Sequence, residues 1–309
     1  MLALLAAPAL ALAACGGAAH APTSAPTSGP SGPAEVTRLD TGAVGVADVG
    51  GEAWTVLFQD RAVRTGDGTL VRVGDAPLRI VGTPGGAWVS VIRDGTVVRI
   101  DPASGTVDRR VRLRPAGSQP EGLAWDGAHL WVVDQAGGRV VELDASGTPV
   151  ASYRTGDEPR LVAAGDGGVW VANYGATSVS RVAHGRVRTV RLVGCTGPQG
   201  VAEVAGRVWI SCTLSGKAVA LDARTMRQVA EVPDLPDADA VVPHGRTVYV
   251  VGQSGPTVYA IDSATGRVTS TVRIDDAPPS SENVGAAVVG SRLVVTHPEE
   301  RKVYSLPLP

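Results

Sequence analysis

The stretch from Glu121 to Tyr153, EGLAWDGAHLWVVDQAGGRVVELDASGTPVASY, decides the fold class of this chain. It contains four short runs rich in β-branched and apolar residues, and clusters of Gly, Asp, Ala and Ser separate the runs. Such runs are typical of β-strands joined by tight turns. The stretch therefore predicts four consecutive antiparallel strands, at residues 121–126, 130–133, 138–144 and 149–153.

An aromatic or apolar anchor residue lies in the second strand of this unit, and similar anchors recur about every 40 residues. The anchors are Trp54, Trp88, Trp131, Trp170, Trp209, Tyr249 and Leu293. Four short strands per repeat of this length are the signature of a β-propeller blade. The sequence therefore predicts an all-β fold, a seven-bladed β-propeller of four-stranded antiparallel blades over residues 35–309. We expect the Trp rings to fill the wedges between blades rather than to bind a ligand.

The two ends of the predicted ring complement each other. The last repeat stops after its third strand, whereas residues 35–41 precede the first inner strand and have no blade of their own. We expect residues 35–41 to complete the last blade, because this closure removes exposed sheet edges. The Asp residues that follow the third strands are expected to cap turns through their carboxylates. These residues are Asp101, Asp144, Asp222 and Asp262.

The first 34 residues have a different composition from the predicted ring. Residues 2–14 form an uncharged apolar run that is too short to span a bilayer, and it ends in Leu12-Ala13-Ala14-Cys15. This ending resembles the lipobox of bacterial lipoproteins, although no Lys or Arg precedes the run. The resemblance implies a signal peptide at residues 1–14 and a fatty-acid anchor, such as palmitate, on Cys15. The alternative is an ordinary secretory signal with a chance Cys.

Residues 15–34 are rich in Pro, Ser, Thr and Gly, a composition that does not form a packed core. We therefore predict a tether between the anchor and the propeller. Together with the lipobox, the tether predicts an exported protein held by its lipid on the outer face of the cytoplasmic membrane of a bacterium.

Composition and cysteine count limit the function classes. The chain has 309 residues and a net charge of −2, so no strongly basic surface for nucleic acid is predicted. We expect a monomer that contacts the membrane through its N-terminal lipid only. Once Cys15 is assigned to the lipid, Cys195 and Cys212 are left as an even pair. In an exported domain such a pair predicts a disulfide, and the alternatives are two reduced thiols or a soft-metal site that lacks further ligands.

The repeat resembles a known family. The phrases GSQPEGLA at residues 117–124 and VVELDASG at residues 140–147 are similar to the YVTN (YncE-like) propeller repeat. Residues 156–163, 258–262 and 265–266 share this similarity. The resemblance implies an extracytoplasmic binding protein. The chain is also more distantly similar to the SMP-30/gluconolactonase and streptogramin-lyase propellers, which implies enzymes.

A candidate site follows from the positions that begin the inner strands, ten residues before each anchor. These positions are Val44, Leu78, Glu121, Arg160, Gln199, Asp239 and Asn283. Loops that enter inner strands and loops that leave second strands share one face of a propeller, so a second polar set is expected beside the first. That set is Asp134, Asn173, Tyr174, Cys212, Gln253, Thr296 and His297. Convergent polar groups at a concave mouth predict a ligand site, and the alternative is a ring that only solvates a water-filled channel.

Metal binding and catalysis are narrower hypotheses for the same mouth. Glu121, Asp239 and Asn283 carry oxygen ligands that suit a divalent cation such as Ca²⁺, although Arg160 is placed to neutralise Glu121 instead. His297 is the one histidine predicted near the mouth, and we expect it to be a surface loop residue. No Gly-x-Ser-x-Gly elbow occurs in the sequence.

The sequence therefore favours a non-catalytic ligand-binding or scaffold protein. Its partner is expected to be a small polar ligand or an envelope protein, and no cofactor is assigned. The first alternative is a metal-dependent hydrolase similar to SMP-30, and the second is a protein-interaction platform.

Overall fold

The computed structural model describes residues 29–278, 280 and 282–309. The predicted signal peptide, Cys15 and most of the tether lie outside these residues. Within them, the strands form seven antiparallel four-stranded sheets, so the predicted all-β propeller is confirmed. No helix in the described part of the chain is long and apolar enough to cross a bilayer.

The first four blades follow one another along the chain. Blade 1 contains β2 (Ala43–Val49), β3 (Glu52–Leu57), β4 (Ala62–Arg64) and β5 (Leu70–Arg72). Blade 2 contains β6 (Pro77–Thr83), β7 (Gly86–Val91), β8 (Thr96–Asp101) and β9 (Thr106–Arg112). Blade 3 contains β10 (Pro120–Trp125), β11 (His129–Asp134), β12 (Arg139–Asp144) and β13 (Pro149–Arg154). Blade 4 contains β14 (Pro159–Gly165), β15 (Gly168–Asn173), β16 (Ser178–Ala183) and β17 (Arg186–Arg191).

The last three blades include a short 3₁₀ turn and the ring closure. Blade 5 contains β18 (Pro198–Val204), β19 (Arg207–Cys212), the turn Thr213–Ser215, β20 (Lys217–Asp222) and β21 (Gln228–Val232). Blade 6 contains β22 (Ala238–His244), β23 (Thr247–Gly252), β24 (Thr257–Asp262) and β25 (Val268–Arg273). Blade 7 contains β26 (Ala286–Val289), β27 (Arg292–His297), β28 (Lys302–Pro307) and the N-terminal β1 (Glu35–Arg38).

The closure by the N-terminal segment is confirmed. Strand β1 pairs antiparallel with β28, with Glu35 opposite Ser305 and Arg38 opposite Lys302. It is shorter than the predicted 35–41, and Leu39 N continues the pairing with one hydrogen bond to Arg301 O. Because β1 and β28 come from opposite ends of the described chain, the sheet of blade 7 holds the ring closed.

The hydrophobic core is divided into clusters that lie between neighbouring blades. Trp88 packs against Leu130 and Val132 of blade 3, and Trp170 packs against Val201 and Val208 of blade 5. Each ring therefore points toward the following blade and fills the wedge between two twisted sheets. This arrangement agrees with the packing role predicted for the Trp residues.

The seventh anchor was assigned one residue too early. Val294 pairs with Ser305 in blade 7, and the anchor Trp170 pairs with Arg181 at the same place in the sheet of blade 4. Val294, and not Leu293, therefore occupies the anchor position of blade 7. Val294 packs toward blade 1, whereas Leu293 packs back toward blade 6. Successive residues of a strand face opposite sides of the sheet, so a shift of one residue reverses the assignment.

The predicted turn caps are present at all four positions. The carboxylates accept hydrogen bonds from backbone N–H groups two residues further on in Ala103, Ser146 and Ala264, and three residues further on in Thr225. Side-chain hydroxyl groups add to the same carboxylates in Ser104, Ser146, Thr225 and Thr265. These Asp side chains are therefore structural.

Candidate functional site

The inner strands enter the channel through irregular segments. In blades 1 to 6 the pairing with the second strand shifts near the first residues of the inner strand, for example between Pro120 and Leu123. Such bulges re-aim side chains and often lie next to functional sites. The residues predicted at the mouth in these blades lie within these segments.

Close packing at the next position explains why small residues surround the channel. A Cβ on Gly122 would lie 2.5 Å from Arg160 O, and one on Gly200 would lie 2.3 Å from Asp239 O. The backbones of neighbouring inner strands therefore approach each other too closely for side chains at these two positions. This packing leaves the mouth to the residues that precede the glycines.

Two adjacent cavities at the mouth bring most of the predicted residues together. A cavity of about 140 Å³ is lined by Val44, Leu78, Glu121, Arg160 and Asn283 among others. A larger cavity of about 460 Å³ lies beside it and is lined by Arg160, Tyr174, Thr213, Leu214, Gln199, Asp237, Gln253, Glu282 and Asn283. Arg160 and Asn283 line both cavities, so the two spaces form one region, which we call the mouth.

Glu121 and Arg160 form a charged pair in adjacent blades. Arg160 Nη1 lies 3.5 Å from Glu121 Oε1, and the Glu121 side chain is buried. The Arg160 guanidinium also stands over the Tyr174 ring, 5.0 Å from its centroid, which adds a cation–π contact. Tyr174 therefore holds Arg160 between the small cavity and the large one.

Asp239 is buried and holds the loop of the following blade. Its Oδ2 accepts hydrogen bonds from Val284 N at 2.8 Å and from Gln253 Nε2 at 2.9 Å. Gln253 Nε2 also lies 3.4 Å from Asn283 Oδ1, so the amide links Asp239 to the wall of the large cavity.

Arg79 is a second positively charged residue at the mouth, and the count of ten residues back from each anchor did not find it. The rule selects Leu78 in blade 2, but the next residue, Arg79, lines both the 140 Å³ cavity and the channel below it. Arg79 Nη1 donates to Val44 O at 2.9 Å. In the other six blades, the position equivalent to Arg79 is Gly four times, at Gly45, Gly122, Gly200 and Gly285. Arg79 is therefore an exception in size and charge, and a comparison of these positions would have identified it.

Burial and the nearby positive charges shift the pKa values of the Glu121 and Asp239 carboxyls in opposite directions. Burial raises the pKa of Glu121, and the Arg160 and Arg79 guanidinium groups oppose this rise. Burial also raises the pKa of Asp239, and Arg79 is the largest opposing charge. The two carboxyls and two guanidinium groups therefore form one electrostatic unit, with both signs of charge at the mouth.

Several polar atoms of this unit, together with one atom of the nearby Gln199, have no hydrogen-bond partner within the protein. These atoms are Glu121 Oε2, Asp239 Oδ1, Arg79 Nε, Arg160 Nε and Gln199 Nε2. A buried polar atom without a partner costs about 1–3 kcal/mol, so an unpaired group calls for an explanation. We name Arg79, Glu121, Arg160, Gln199 and Asp239 the inner ring.

The second predicted set has a different environment. Asp134 accepts hydrogen bonds from Gln119 N at 2.9 Å and from Arg139 Nε at 2.9 Å. Asn173 accepts from Gly156 N at 3.0 Å and donates to Ser178 Oγ and Ser180 Oγ. Both side chains thus join the end of a second strand to the loop that leads into the inner strand of the same blade.

In blade 5 a disulfide makes the same connection. Cys195 and Cys212 are bonded, with Cα atoms 5.2 Å apart, so the predicted disulfide is confirmed. Cys212 ends the second strand as Asp134 and Asn173 do, and Cys195 lies in the loop before the inner strand. Thr296 has a related role in blade 7, where its Oγ1 accepts from Gly285 N at 2.8 Å.

His297 is not a surface loop residue. It ends β27 and is fully buried, and its Nδ1 accepts a hydrogen bond from Glu300 N at 3.3 Å. It occupies the position of Asp134 and Asn173 in the strand register, since it is opposite Lys302 as Asp134 is opposite Arg139. We name Asp134, Asn173, Cys212 and His297 the latch ring.

The donor set does not fit a divalent cation well. The described residues contain no group of three or more His, Cys, Asp or Glu side chains that could hold a metal ion. The two buried carboxylates are each influenced by two guanidinium groups, so much of the negative charge that a cation needs is already compensated. Glu121, Asp239 and Asn283 therefore form a weak metal site.

Comparisons with known proteins place the fold among propellers of varied function. No protein-family model matches the chain, and no curated protein matches it by sequence. The YVTN and SMP-30 resemblances therefore stay predictions.

Solved structures do match. A catalytically inactive histidine-to-alanine variant of virginiamycin B lyase from Staphylococcus aureus, bound to quinupristin, is similar with a TM-score of 0.75 and 16% identity over 89% of this chain and 100% of that chain. A streptogramin B lyase structure has a TM-score of 0.75 and 15% identity over 89% of this chain and 97% of that one. Hydrazine synthase from Kuenenia stuttgartiensis has a TM-score of 0.70 and 15% identity over 88% and 97%. At these identities the similarity shows a shared propeller fold and does not carry the activities over.

Proposed function

We propose that the protein is a binding protein whose mouth takes a small polar ligand with both a positively and a negatively charged group. One observation carries this proposal. Five polar atoms of the inner ring lack partners within the protein, and four of the five side chains line the two mouth cavities: Arg79 and Glu121 line the smaller, Gln199 the larger, and Arg160 both. Asp239 lies behind the wall of the larger cavity, hydrogen-bonded to Gln253.

The unpaired atoms define the chemistry of the ligand. Glu121 Oε2 and Asp239 Oδ1 are acceptors that suit an ammonium or hydroxyl group, whereas Arg79 Nε, Arg160 Nε and Gln199 Nε2 are donors that suit a carboxylate. A bare cation or anion would satisfy one set and leave the other unpaired. A zwitterion, such as an amino acid or a short peptide, pairs with both sets.

The walls of the large cavity add an apolar side to this site. Tyr174 and Leu214 both lie close to Gly197, where a Cβ would meet their side chains. Leu214 is 68% exposed although it is a large apolar residue. We infer that the ligand lays an apolar portion against Tyr174 and Leu214 while its charged end reaches the inner ring.

Binding rather than catalysis is proposed because the histidines of the described chain lie outside the mouth. His297 lies in the latch ring and lines neither mouth cavity, although its Nε2 has no hydrogen-bond partner within the protein. His129 begins β11 at the other end of the blades, near Asp126 and Glu142. The catalysis of the similar lyases therefore has no evident counterpart among the groups that line these cavities.

The experiment uses the twenty standard amino acids and a set of dipeptides as probes. We expect at least one probe to raise the melting temperature, and the double variant Glu121→Gln/Asp239→Asn to lose at least tenfold in affinity by calorimetry, because two acceptors of the ligand become amides. Asp166→Asn, in an exposed turn at the other end of blade 4, is the matched control and should bind as the wild type does. Equal affinity in the double variant, or no response to any probe, would contradict the proposal.

We also propose that the protein works outside the cytoplasm, attached to the membrane through Cys15. The Cys195–Cys212 disulfide supports an oxidising compartment, and the lipobox-like ending supports the lipid. Cys15→Ser should release the protein from membranes into the soluble fraction with an unchanged melting temperature. Continued membrane association of that variant would rule out the lipid anchor.

A further inference from the structure

The seven wedges between neighbouring blades are not filled alike. In six of them an aromatic side chain from the third position of a second strand points toward the following blade. These side chains are Trp54, Trp88, Trp131, Trp170, Trp209 and Tyr249. At the seam between blade 7 and blade 1, the same position holds Val294. The ring therefore closes at a wedge that lacks the bicyclic or phenolic ring found in the others.

A cavity of about 310 Å³ lies in this seam. Its lining is mixed: the apolar residues are Leu39, Ala53, Val294 and Val303, and the polar ones are Thr37, Glu52, Thr55, Arg64 and Ser305. A cavity of roughly 150 Å³ with apolar walls is enough to bind benzene, and ligand pockets begin near 300 Å³. The seam is therefore large enough for a planar bicyclic molecule.

One polar atom in the wall has no partner. Thr55 follows Trp54 on β3, so it faces blade 7 while Trp54 faces blade 2. Its side chain lines the cavity and is only 3% exposed, and its Oγ1 makes no hydrogen bond within the protein. A buried hydroxyl of this kind favours a ligand that brings a hydrogen-bonding edge.

The filled wedges show which ring chemistry this fold accommodates. Trp170 Nε1 donates to Glu203 Oε2 of the following blade at 2.7 Å, and Trp131 Nε1 donates to Asp126 Oδ2 at 2.7 Å. Arginines stand over two of the rings, Arg181 over Trp170 at 5.3 Å and Arg99 over Trp88 at 5.8 Å. Trp170 therefore has both an acceptor for its N–H and a guanidinium over its face. Trp54 Nε1 and Trp209 Nε1 have no hydrogen-bond partner within the protein, so the two groups occur together around Trp170 and not in every wedge.

The seam between blades 7 and 1 contains an acceptor and a guanidinium like those around Trp170, but it contains no aromatic ring. Thr55 supplies the acceptor, and Arg64, which is opposite Thr55 in the register and also lines the cavity, supplies a guanidinium. We propose that the seam between blades 7 and 1 binds a planar aromatic molecule of the indole class, with its N–H donated to Thr55 Oγ1 and its ring against Val294 and Val303. This site is independent of the mouth.

Two probes and two variants of the full chain test the site. Indole and indene have the same shape, but only indole carries an N–H group. We expect wild-type protein to bind indole about fivefold more tightly than indene by calorimetry, because one hydrogen bond is gained. Thr55→Val, which removes the hydroxyl and keeps the shape, should abolish this preference and leave the affinity for indene unchanged.

Val294→Trp places in the seam the ring that the other wedges contain. We expect it to abolish binding of both probes and to raise the melting temperature. Val150→Trp, which adds a Trp at an exposed position of an outer strand, is the matched control and should bind indole as the wild type does. Failure of indole to bind the wild-type protein overturns the proposal, and so does unchanged binding in Val294→Trp. If Val294→Trp does not fold, an unchanged preference for indole in Thr55→Val overturns it.

Discussion

The inner ring and the latch ring lie on the same face of the propeller, but Asp134 and Asn173 of the latch ring differ from the inner ring in whether their buried polar atoms have hydrogen-bond partners. His297 of the latch ring keeps one unpaired atom, Nε2. In the latch ring, Asp134 and Asn173 accept backbone N–H groups and their remaining polar atoms have partners in the same blade. In the inner ring, Glu121, Gln199 and Asp239 are equally buried, but each keeps one unpaired atom. A buried polar group stabilises a fold only when its hydrogen bonds are satisfied. We infer that Asp134 and Asn173 maintain the structure, and we propose that the unpaired atoms of the inner ring bind a ligand.

The largest effect is expected from Asp134→Ala in the latch ring. The change removes the buried partner of Arg139 and the acceptor for Gln119 N, so roughly 3–5 kcal/mol of unfolding free energy should be lost. Urea-induced unfolding measures this loss. Asp166→Asn should change the stability by less than about 0.5 kcal/mol. A loss below about 1 kcal/mol for Asp134→Ala would mean that the latch is not structural.

A smaller effect is expected from the disulfide that takes the same place in blade 5. Replacement of Cys195 and Cys212 by Ala opens a crosslink between residues 17 positions apart. The chain-entropy account gives about 3 kcal/mol for a loop of this size. Thermal unfolding of the double variant should show the loss, and the same loss should follow reduction of the wild-type protein. If reduction has no effect while the double variant is destabilised, cavity formation and not the crosslink is responsible.

The smallest effect, for each pH unit, is expected from a change of pH, and it separates the inner ring from ordinary surface carboxylates. Burial raises the pKa of Asp239, so the folded state binds its proton more tightly than the unfolded state does. This group therefore makes stability fall as pH rises above the usual aspartate range near 4, by at most about 1.4 kcal/mol per pH unit. Asp239→Asn should remove that part of the slope, as measured by urea unfolding between pH 4 and pH 8.

For Asp275 the dependence of stability on pH has the opposite sign to that for Asp239. Hydrogen bonds from Lys302 and Tyr304 lower the pKa of Asp275 to about 2. Its contribution to stability is present above pH 4 and is lost as pH falls toward 2. Asp275→Asn should therefore change the slope below pH 4 and leave the range above it unaffected. If both Asp variants alter the same pH range in the same direction, the proposed difference between the two environments is wrong.

The sequence predicted the ring but not the details of its closure. The repeat of β-branched runs and Trp anchors was enough for blade number and strand order, because both depend on local patterns that every blade repeats. The incomplete last repeat was enough to predict that residues 35–41 complete the last blade, and Glu35–Arg38 of this segment pair with β28. The seventh anchor was misplaced because Leu293 and Val294 are both apolar, and only the strand pairing shows which of them faces blade 1.

The candidate site was predicted in part. Glu121, Arg160, Gln199 and Asp239 were found by counting from the anchors, since the distance from inner-strand start to anchor is nearly constant. Asn283, which lines both cavities, was selected only because the seventh anchor was placed at Leu293; ten residues before Val294 is Val284. Arg79 was missed because the irregular pairing after Pro77 extends over both Leu78 and Arg79. Asp134, Asn173 and His297 were placed on the correct face, but counting does not show whether a polar side chain meets a neighbouring loop or a cavity.

The sequence by itself therefore determined the architecture, the pairing of the two chain ends and the two cysteines that are bonded. These features follow from short-range patterns, in which residue type and spacing fix strands, turns and repeats. Only the tertiary structure decided which buried polar atoms have partners, because partners come from other blades: Arg160 meets Glu121 across one blade boundary, and Val284 meets Asp239 across another. It also revealed the seam at Val294, since a cavity is a property of two packed sheets and neither sheet encodes it alone.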